Sequence, residues 1–319
     1  MDVRRRKKWT TSLGALVLLC LLMANHRGCS PTVPEESRWV QETASIEKQV
    51  EVDGVQLRVL DTGKGTPVLL IHGFLDSSFT WRKLIPLLKD RYRVVALDLP
   101  GFGYSDKPGE ATSFVHFAQV VVGLLDQLGI DKAFLAGNSM GGSVALQVAV
   151  DFPERILGIV PIDPGTPREE GEPFSAMDLL RMPVVGELCV HTMGPWVFQR
   201  VWNAMLTGDH ELSEAELQEM YGLLNTPGAR RAALNQIREI RGNPVDWKTS
   251  SRIRAPTLLI WGSQDKVVPL KYGERLNGNI PDSRLVILEN AGHLPQWDVP
   301  GEIGSLLVGF FEEVLRGTS

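Results

Sequence analysis

Ala133-Phe134-Leu135-Ala136-Gly137-Asn138-Ser139-Met140-Gly141-Gly142-Ser143-Val144 is the stretch that decides the fold. It opens on an apolar run of the kind found in strands buried on both faces of a parallel sheet. It closes in a helical pattern: Val144, Val148 and Phe152 recur at helical spacing, and Pro153 ends the run. Between them, Gly137-Asn138-Ser139-Met140-Gly141 reads as a sharp strand-to-helix turn. A Ser at the apex of such a turn has a strained backbone, and side chains two residues away on either side would collide, which is why both positions are glycine. The helix N-terminus beneath the Ser favours the negative charge that develops when its hydroxyl attacks. The pattern G-x-S-x-G alone also describes a glycine-rich turn with a capping Ser. Placed between a strand and a helix, it points to a nucleophile.

Working outward, further apolar runs occur at Pro67–Ile71, Arg93–Leu97, Ile156–Ile162, Thr257–Trp261 and Leu285–Leu288. Val55–Leu60, bounded by Asp53-Gly54 and Asp61-Thr62-Gly63, reads as the start of a hairpin. Phe114, Phe117, Val121, Leu124, Leu125 and Leu128 share one helical face, and Gly129 stops that helix. Strands alternating with helices predict an α/β fold, with a mostly parallel sheet covered on both faces. Such sheets bind ligands at the carboxyl ends of their strands. Residues 165–250 break the alternation. They carry Met182, Met193, Trp196, Phe198, Trp202 and Met205, then a charged helical segment at Glu211–Leu224. This predicts a helical cap inserted between a first core segment, 50–164, and a second, 251–319. Polar residues 31–49, with Pro31 and Pro34, read as a linker.

The N-terminus has its own logic. Arg4, Arg5, Arg6, Lys7 and Lys8 precede an almost wholly apolar Leu13–Ala24, the pattern of an export signal. As a helix that apolar core spans about 18 Å, short of the ~30 Å hydrocarbon layer. A cleaved signal fits that length better than a membrane anchor, yet no clean small-x-small cleavage site follows, so residues 1–30 remain open to both readings. Gly28-Cys29 also resembles the end of a bacterial lipoprotein signal, although His26 and Arg27 depart from it. Each reading puts the domain outside the cytoplasm. Cys20 lies in this leader, Cys29 at its end, and the body holds only Cys189. There is thus no disulfide framework and no metal-ligand spacing, and Cys189 reads as a small buried hydrophobe.

A Ser hydroxyl needs a base. Beyond the leader the histidines are 72, 116, 191, 210 and 293. His293 follows the last strand in a short loop, at the same strand ends as Ser139. Its imidazole needs an acid to hold the tautomer. Asp265 follows the strand ending at Trp261, giving the chain order Ser…Asp…His. Asp163, after the strand ending at Ile162, competes by position, with a turn in Asp163-Pro164-Gly165 as its alternative role. Backbone N–H groups of Phe74, after His72-Gly73, and of Met140 are placed to receive an oxyanion. His72 reads as a hydrogen-bonding residue that fixes its loop, and Asp98 as an acceptor for backbone N–H groups in the Pro100-Gly101 turn. Trp196, Phe198, Trp202 and Met205 are candidates for an apolar pocket wall, with a cap core as the alternative.

Together, His72-Gly73-Phe74, Asp98-Leu99-Pro100-Gly101-Phe102-Gly103-Tyr104-Ser105, Gly137-Asn138-Ser139-Met140-Gly141-Gly142, Gly262-Ser263-Gln264-Asp265 and Gly292-His293-Leu294-Pro295 resemble the α/β-hydrolase superfamily. The resemblance spans roughly residues 50–315 and implies a predominantly parallel eight-stranded sheet flanked by helices, with a helical cap. Haloalkane dehalogenases and epoxide hydrolases share much of the pattern but carry Asp where this chain has Ser139. Gly-Asn-Ser-Met-Gly-Gly is similar both to bacterial esterases and lipases and to hydrolases that cleave carbon–carbon bonds in aromatic ring-fission products. The latter usually place a small residue and Pro-Gly after His-Gly, where Phe74-Leu75-Asp76 stands here.

The expectation is a carboxylic-ester hydrolase acting on a small-molecule ester through a Ser-His-Asp triad, needing no cofactor and no metal. A carbon–carbon bond hydrolase and a non-catalytic ligand receptor on the same fold are the alternatives. A net charge of −5, with no basic patch beyond the N-terminus, argues against nucleic acid as a partner. Hydrophobic residues at 43 % against 22 % charged supply a sizeable core.

Overall fold

Asp53 and Gly54 both have positive φ (49° and 77°). Two such residues form the tight turn whose twist matches a right-handed hairpin, and they join β1 (Glu47–Val52) to β2 (Val55–Thr62). The computed structural model describes residues 37–110, 112–167, 176–208, 210–239 and 245–317. Of the expected linker 31–49, the described part is ordered as secondary structure instead. Ser37 caps helix α1 (Arg38–Thr43) by accepting from the Val40 N–H, and β1 begins at Glu47. The leader, residues 1–30, lies outside the described residues. Among the described residues no helix is long and apolar enough to cross a membrane.

Beyond the hairpin the chain runs through β3 (Pro67–Ile71), a 3-10 turn (Ser78–Trp81), α2 (Ile85–Leu88), β4 (Arg93–Leu97), α3 (Phe114–Gln127), β5 (Ala133–Asn138), α4 (Met140–Asp151) and β6 (Ile156–Ile162). Helices α5 (Ala176–Arg181), α6 (Val185–Thr192), α7 (Pro195–Asn203), α8 (Glu214–Leu224), α9 (Ala229–Glu239) and α10 (Trp247–Ser250) follow. The chain closes with β7 (Thr257–Gly262), α11 (Lys271–Asn279), β8 (Ser283–Leu288), α12 (Pro295–Asp298) and α13 (Pro300–Gly317). The eight strands form one sheet in the order β1-β2-β4-β3-β5-β6-β7-β8. Only β2 runs against its neighbours; every pairing from β4 to β8 is parallel.

Period-two alternation sends successive side chains of each strand into two cores. Leu69, Ile71, Val95, Leu97, Leu135, Ile159 and Leu259 pack under α3 and α4 with Phe117, Val121, Val144 and Val148. Val68, Leu70, Val94, Phe134, Val160 and Ile260 face Trp81, Leu84, Leu307 and Phe311 on the other side. Phe134 stacks on Phe311 with ring centroids 4.3 Å apart. Both faces of the sheet being covered at its centre, β3 to β7 are buried and largely apolar, as the sequence runs anticipate.

The helices between β6 and β7 do not all belong together. Trp247 of α10 stacks on Tyr272 of α11, so this last helix of the 165–250 stretch sits with the core. The others form the cap, around Phe198, Trp202, Leu206, Leu212, Met220, Tyr221 and Leu224. Helix α8 starts with a capping box between Ser213 and Glu216, a device that satisfies two otherwise orphaned backbone donors. The cap touches loops at the carboxyl ends of the strands. The Tyr104 hydroxyl, after β4, donates to Glu219 at 2.6 Å. Arg82 pairs with Glu216 while lying 3.7 Å over the Trp297 ring. Cys189 is half-buried on α6 rather than enclosed in a core as expected.

Candidate active site

Ser139 sits between β5 and α4 with φ 53° and ψ −118°, a conformation that L-residues rarely adopt and that a surrounding structure must hold in place. The holding groups are visible. The Ser139 N–H donates to the Ile162 carbonyl at 2.9 Å. A Cβ at Gly137 would collide with the Gly141 carbonyl, and one at Gly141 with the Ile71 carbonyl. Both glycines are therefore steric requirements of the turn.

His293 Nε2 lies 2.9 Å from Ser139 Oγ, and its Nδ1 lies 2.7 Å from Asp265 Oδ2. The imidazole is nearly enclosed, with 4 % of its side chain exposed, and the Asp265 side chain is fully buried. Asp265 Oδ1 accepts from the N–H groups of Val267 (2.6 Å) and Val268 (3.0 Å). With one oxygen so held, the other is directed at the imidazole. Nδ1 then carries the proton and Nε2 faces the hydroxyl as an acceptor, the tautomer a general base requires.

Asp163, the positional competitor, does not bond the imidazole; its Oδ1 accepts from the Gly262 N–H at 3.0 Å. Asp98 serves its loops: Oδ1 accepts from the Ser78 N–H and Oδ2 from the Tyr104 N–H. His72 donates from Nδ1 to the Gly73 carbonyl (2.7 Å) and accepts at Nε2 from the Leu99 N–H (2.9 Å). Burial holds its imidazole below the ordinary range, so it is neutral and ties the loop after β3 to the loop after β4.

The loop carrying Phe74 runs beside Ser139. A Cβ at Gly73 would lie 3.3 Å from Ser139 Cβ, and Leu75 turns the chain away with φ 58°. Met140 is the first residue of α4, where helix N–H groups lack intrahelical partners. Asp76 closes this loop. Burial pushes its carboxyl up to about 7, against the pull of the Ser77 N–H bonded to it.

The four pocket candidates separate. Trp196 is 56 % exposed, so it walls no pocket in this structure. Its place on α7 turns it outward, beside Arg200. Phe198 and Trp202 are buried and stacked on each other, in a cluster that joins the cap to Phe79, Leu294 and Trp297 of the core. Met205 approaches the site through its backbone: its carbonyl accepts from the His293 N–H at 2.9 Å.

Several supporting residues carried no pattern that reading the chain could catch. The Asn138 side-chain amide donates to the His293 carbonyl (3.0 Å) and the Ile162 carbonyl (3.2 Å), tying the nucleophile turn to the loop of the base. Asp298 Oδ2 accepts from the Gly292 N–H, and Oδ1 from the Thr207 N–H of the cap. Thr80 Oγ1 accepts from both Gln296 and Trp297.

The family model for the alpha/beta hydrolase fold matches residues 66–300. The chain belongs to the α/β-hydrolase family. It is 31 % identical over 268 residues to a 2-hydroxy-6-oxo-6-phenylhexa-2,4-dienoate hydrolase of Burkholderia cepacia, covering 80 % of this chain and 91 % of that one. Among solved structures it resembles a membrane phospholipase A described as a bacterial virulence factor, at 27 % identity and a TM-score of 0.73, over 96 % of this chain and 99 % of the other. It also resembles a thermophilic esterase of Thermogutta terrifontis, at 26 % identity and a TM-score of 0.71, over 84 % and 97 %. Its α/β-hydrolase relatives thus include both carbon–carbon bond hydrolases and esterases.

Proposed function

We propose that this α/β-hydrolase cleaves carboxylic esters through an acyl-enzyme, with Ser139 as nucleophile, His293 as base and Asp265 as the acid that orients it. The observation that carries the reading is the continuous line Ser139 Oγ–His293 Nε2 and His293 Nδ1–Asp265 Oδ2, at 2.9 and 2.7 Å. His293 takes the Ser139 proton as Oγ attacks the carbonyl, then returns it to the departing alcohol. Asp265 stabilises the imidazolium in between. The N–H groups of Phe74 and Met140 receive the oxyanion; removing one such donor typically costs about 3–4 kcal/mol of transition-state stabilisation. Water then enters by the same base and hydrolyses the acyl-enzyme.

One observation favours ester over carbon–carbon cleavage. Phe74-Leu75-Asp76 stands where ring-fission hydrolases usually carry a small residue and Pro-Gly. The solved structures serve both readings alike: the membrane phospholipase A and a meta-cleavage product hydrolase each superpose with a TM-score of 0.73, at 27 % and 28 % identity. The second reading, carbon–carbon cleavage, is favoured by the 31 % identity to the dienoate hydrolase.

Acyl length separates the readings. Each buried methylene contributes about 0.8 kcal/mol, roughly a factor of four in binding. Under a cap packed down onto the core through Phe198 and Trp202, kcat/KM should climb from acetyl to butyryl or hexanoyl esters and fall towards hexadecanoyl. An optimum at dodecanoyl or longer with activation at a lipid interface would show a mobile-lid lipase. No ester turnover at any length, beside turnover of a ring-fission product, would establish the carbon–carbon reaction.

The same proposal places the catalytic domain outside the cytoplasm, exported or anchored by the basic and apolar leader. Fractionation of cells expressing the full chain should recover activity in the membrane or external fraction. A chain beginning at Ser30 should be active and confined to the cytosol. Full-length protein in the cytosol with its N-terminus intact would overturn the placement.

A further inference from the structure

Asp163 directly follows β6, with φ 43° and a fully buried side chain. Its Oδ1 accepts from the Gly262 N–H, while Oδ2 meets no hydrogen-bonding partner among the described residues. The Asp265 side chain is equally buried. One donor atom from each of Asp163, Asp265 and His293 lies within 4.8 Å of the other two. Two carboxylates this close and this dry do not both ionise. The hydrogen-bond inventory decides which keeps the charge. Asp265 receives the Val267 N–H, the Val268 N–H and the imidazole, whereas Asp163 receives one N–H. A carboxylate oxygen without a donor is costly to bury, but protonation turns a carboxyl into a donor.

We propose that Asp163 is a positioning residue behind the Asp265–His293–Ser139 line, a neutral carboxylic acid that donates its proton in a hydrogen bond to the Asp265 carboxylate. The charged groups that face it point the same way. Burial first, and then the neighbouring Asp265 charge, push the Asp163 carboxyl well above the ordinary range, and Asp298 adds to them; the Gly262 N–H pulls less strongly in the other direction. The bond fixes the Asp265 rotamer from behind. It also draws charge out of Asp265, so that the imidazole is held in place without being held too tightly as imidazolium. The inference rests on the proposed triad and is independent of whether the substrate is an ester or a ring-fission product.

The test is the rate of inactivation by a fluorophosphonate as a function of pH, whose acid limb reports the base. Asp163→Asn should leave the limb where it is, because the amide still accepts from Gly262 and still donates to Asp265. Asp163→Leu removes the donor, leaves more charge on Asp265 and stabilises imidazolium, so the limb should rise by about one pH unit. If Asp163 were ionised, both variants would delete a negative charge near the imidazolium and both limbs would fall, which overturns the proposal. A Leu variant with lowered stability but an unmoved limb would reduce Asp163 to a purely structural group and also overturn it. Should the Leu variant not fold, carboxyl-labelled aspartate in the wild-type protein supplies a second measurement. Besides Asp76, whose carboxyl is pushed up to about 7, one protonated carboxyl carbon should persist at neutral pH and vanish in Asp163→Asn; its absence from wild type would overturn the assignment. A wild-type protein that resists the fluorophosphonate would instead count against the triad, while the carbon spectrum still reports on Asp163.

Discussion

Ser139→Ala should abolish labelling by a fluorophosphonate and lower kcat by about 10⁶, the scale of removing the nucleophile from a triad that acts as a unit. The change is clean because Ala keeps the Cβ, so the backbone at φ 53° meets no new strain. Of the contacts that set the turn, the bond from the Ser139 N–H to the Ile162 carbonyl and the Asn138 bonds to the His293 loop do not involve the hydroxyl. The variant should therefore unfold at an unchanged temperature while losing activity. A substitution at Gly141 should behave in the opposite way, since its Cβ would enter the Ile71 carbonyl: protein is lost before chemistry can be measured. Labelling of the Ala variant equal to that of wild type would remove Ser139 from the nucleophile's role.

What could be read from the chain, and what could not, follows from how each residue is held. The nucleophile turn was legible because its steric demand is local: strand, glycine, serine, glycine and helix lie within a dozen consecutive residues. Asp265 and His293 were legible by their place after apolar strands, since parallel strands bring their carboxyl ends to one edge. β1 was not legible. Glu47-Lys48-Gln49-Val50-Glu51-Val52 is an edge strand in which only Val52 is buried, and its polar first half, Glu47-Lys48-Gln49, reads as linker. The cap residues were ambiguous for a different reason. Trp196 and Phe198 are two residues apart on one helix and so point in different directions, and only the packing of α8 and the core beneath decides which is covered. Asn138 and Asp298 act through backbone groups far along the chain, and a polar residue with a distant backbone partner leaves no periodic trace.

Asp265→Asn should lower kcat on the order of 10⁴, the loss expected when the imidazole is forced into the wrong tautomer, and the hydrogen bonds around Asp265 show how. Oδ1 is claimed by the N–H groups of Val267 and Val268, and both require an acceptor. The Asn oxygen must therefore take that side, which turns the amide nitrogen towards His293 Nδ1, where Asp265 Oδ2 now sits at 2.7 Å. Two donors cannot face each other, so Nδ1 gives up its proton and becomes the acceptor, and Nε2 takes the proton and points it at Ser139 Oγ. The base can then no longer accept the hydroxyl proton. Fluorophosphonate labelling should slow with kcat, and the structure should remain intact because both backbone bonds survive. Asp163 adds a further feature. Beside a neutral amide it no longer faces a carboxylate, so its own proton is released more easily, and it lies within 4.8 Å of the imidazole. The residual activity of Asp265→Asn should accordingly rise with pH, and the Asp163→Asn, Asp265→Asn double variant should lose that rise. Asp163→Asn alone should cost far less than Asp265→Asn. The reverse ranking, in variants with wild-type unfolding temperatures, would move the catalytic acid from the end of β7 to the end of β6.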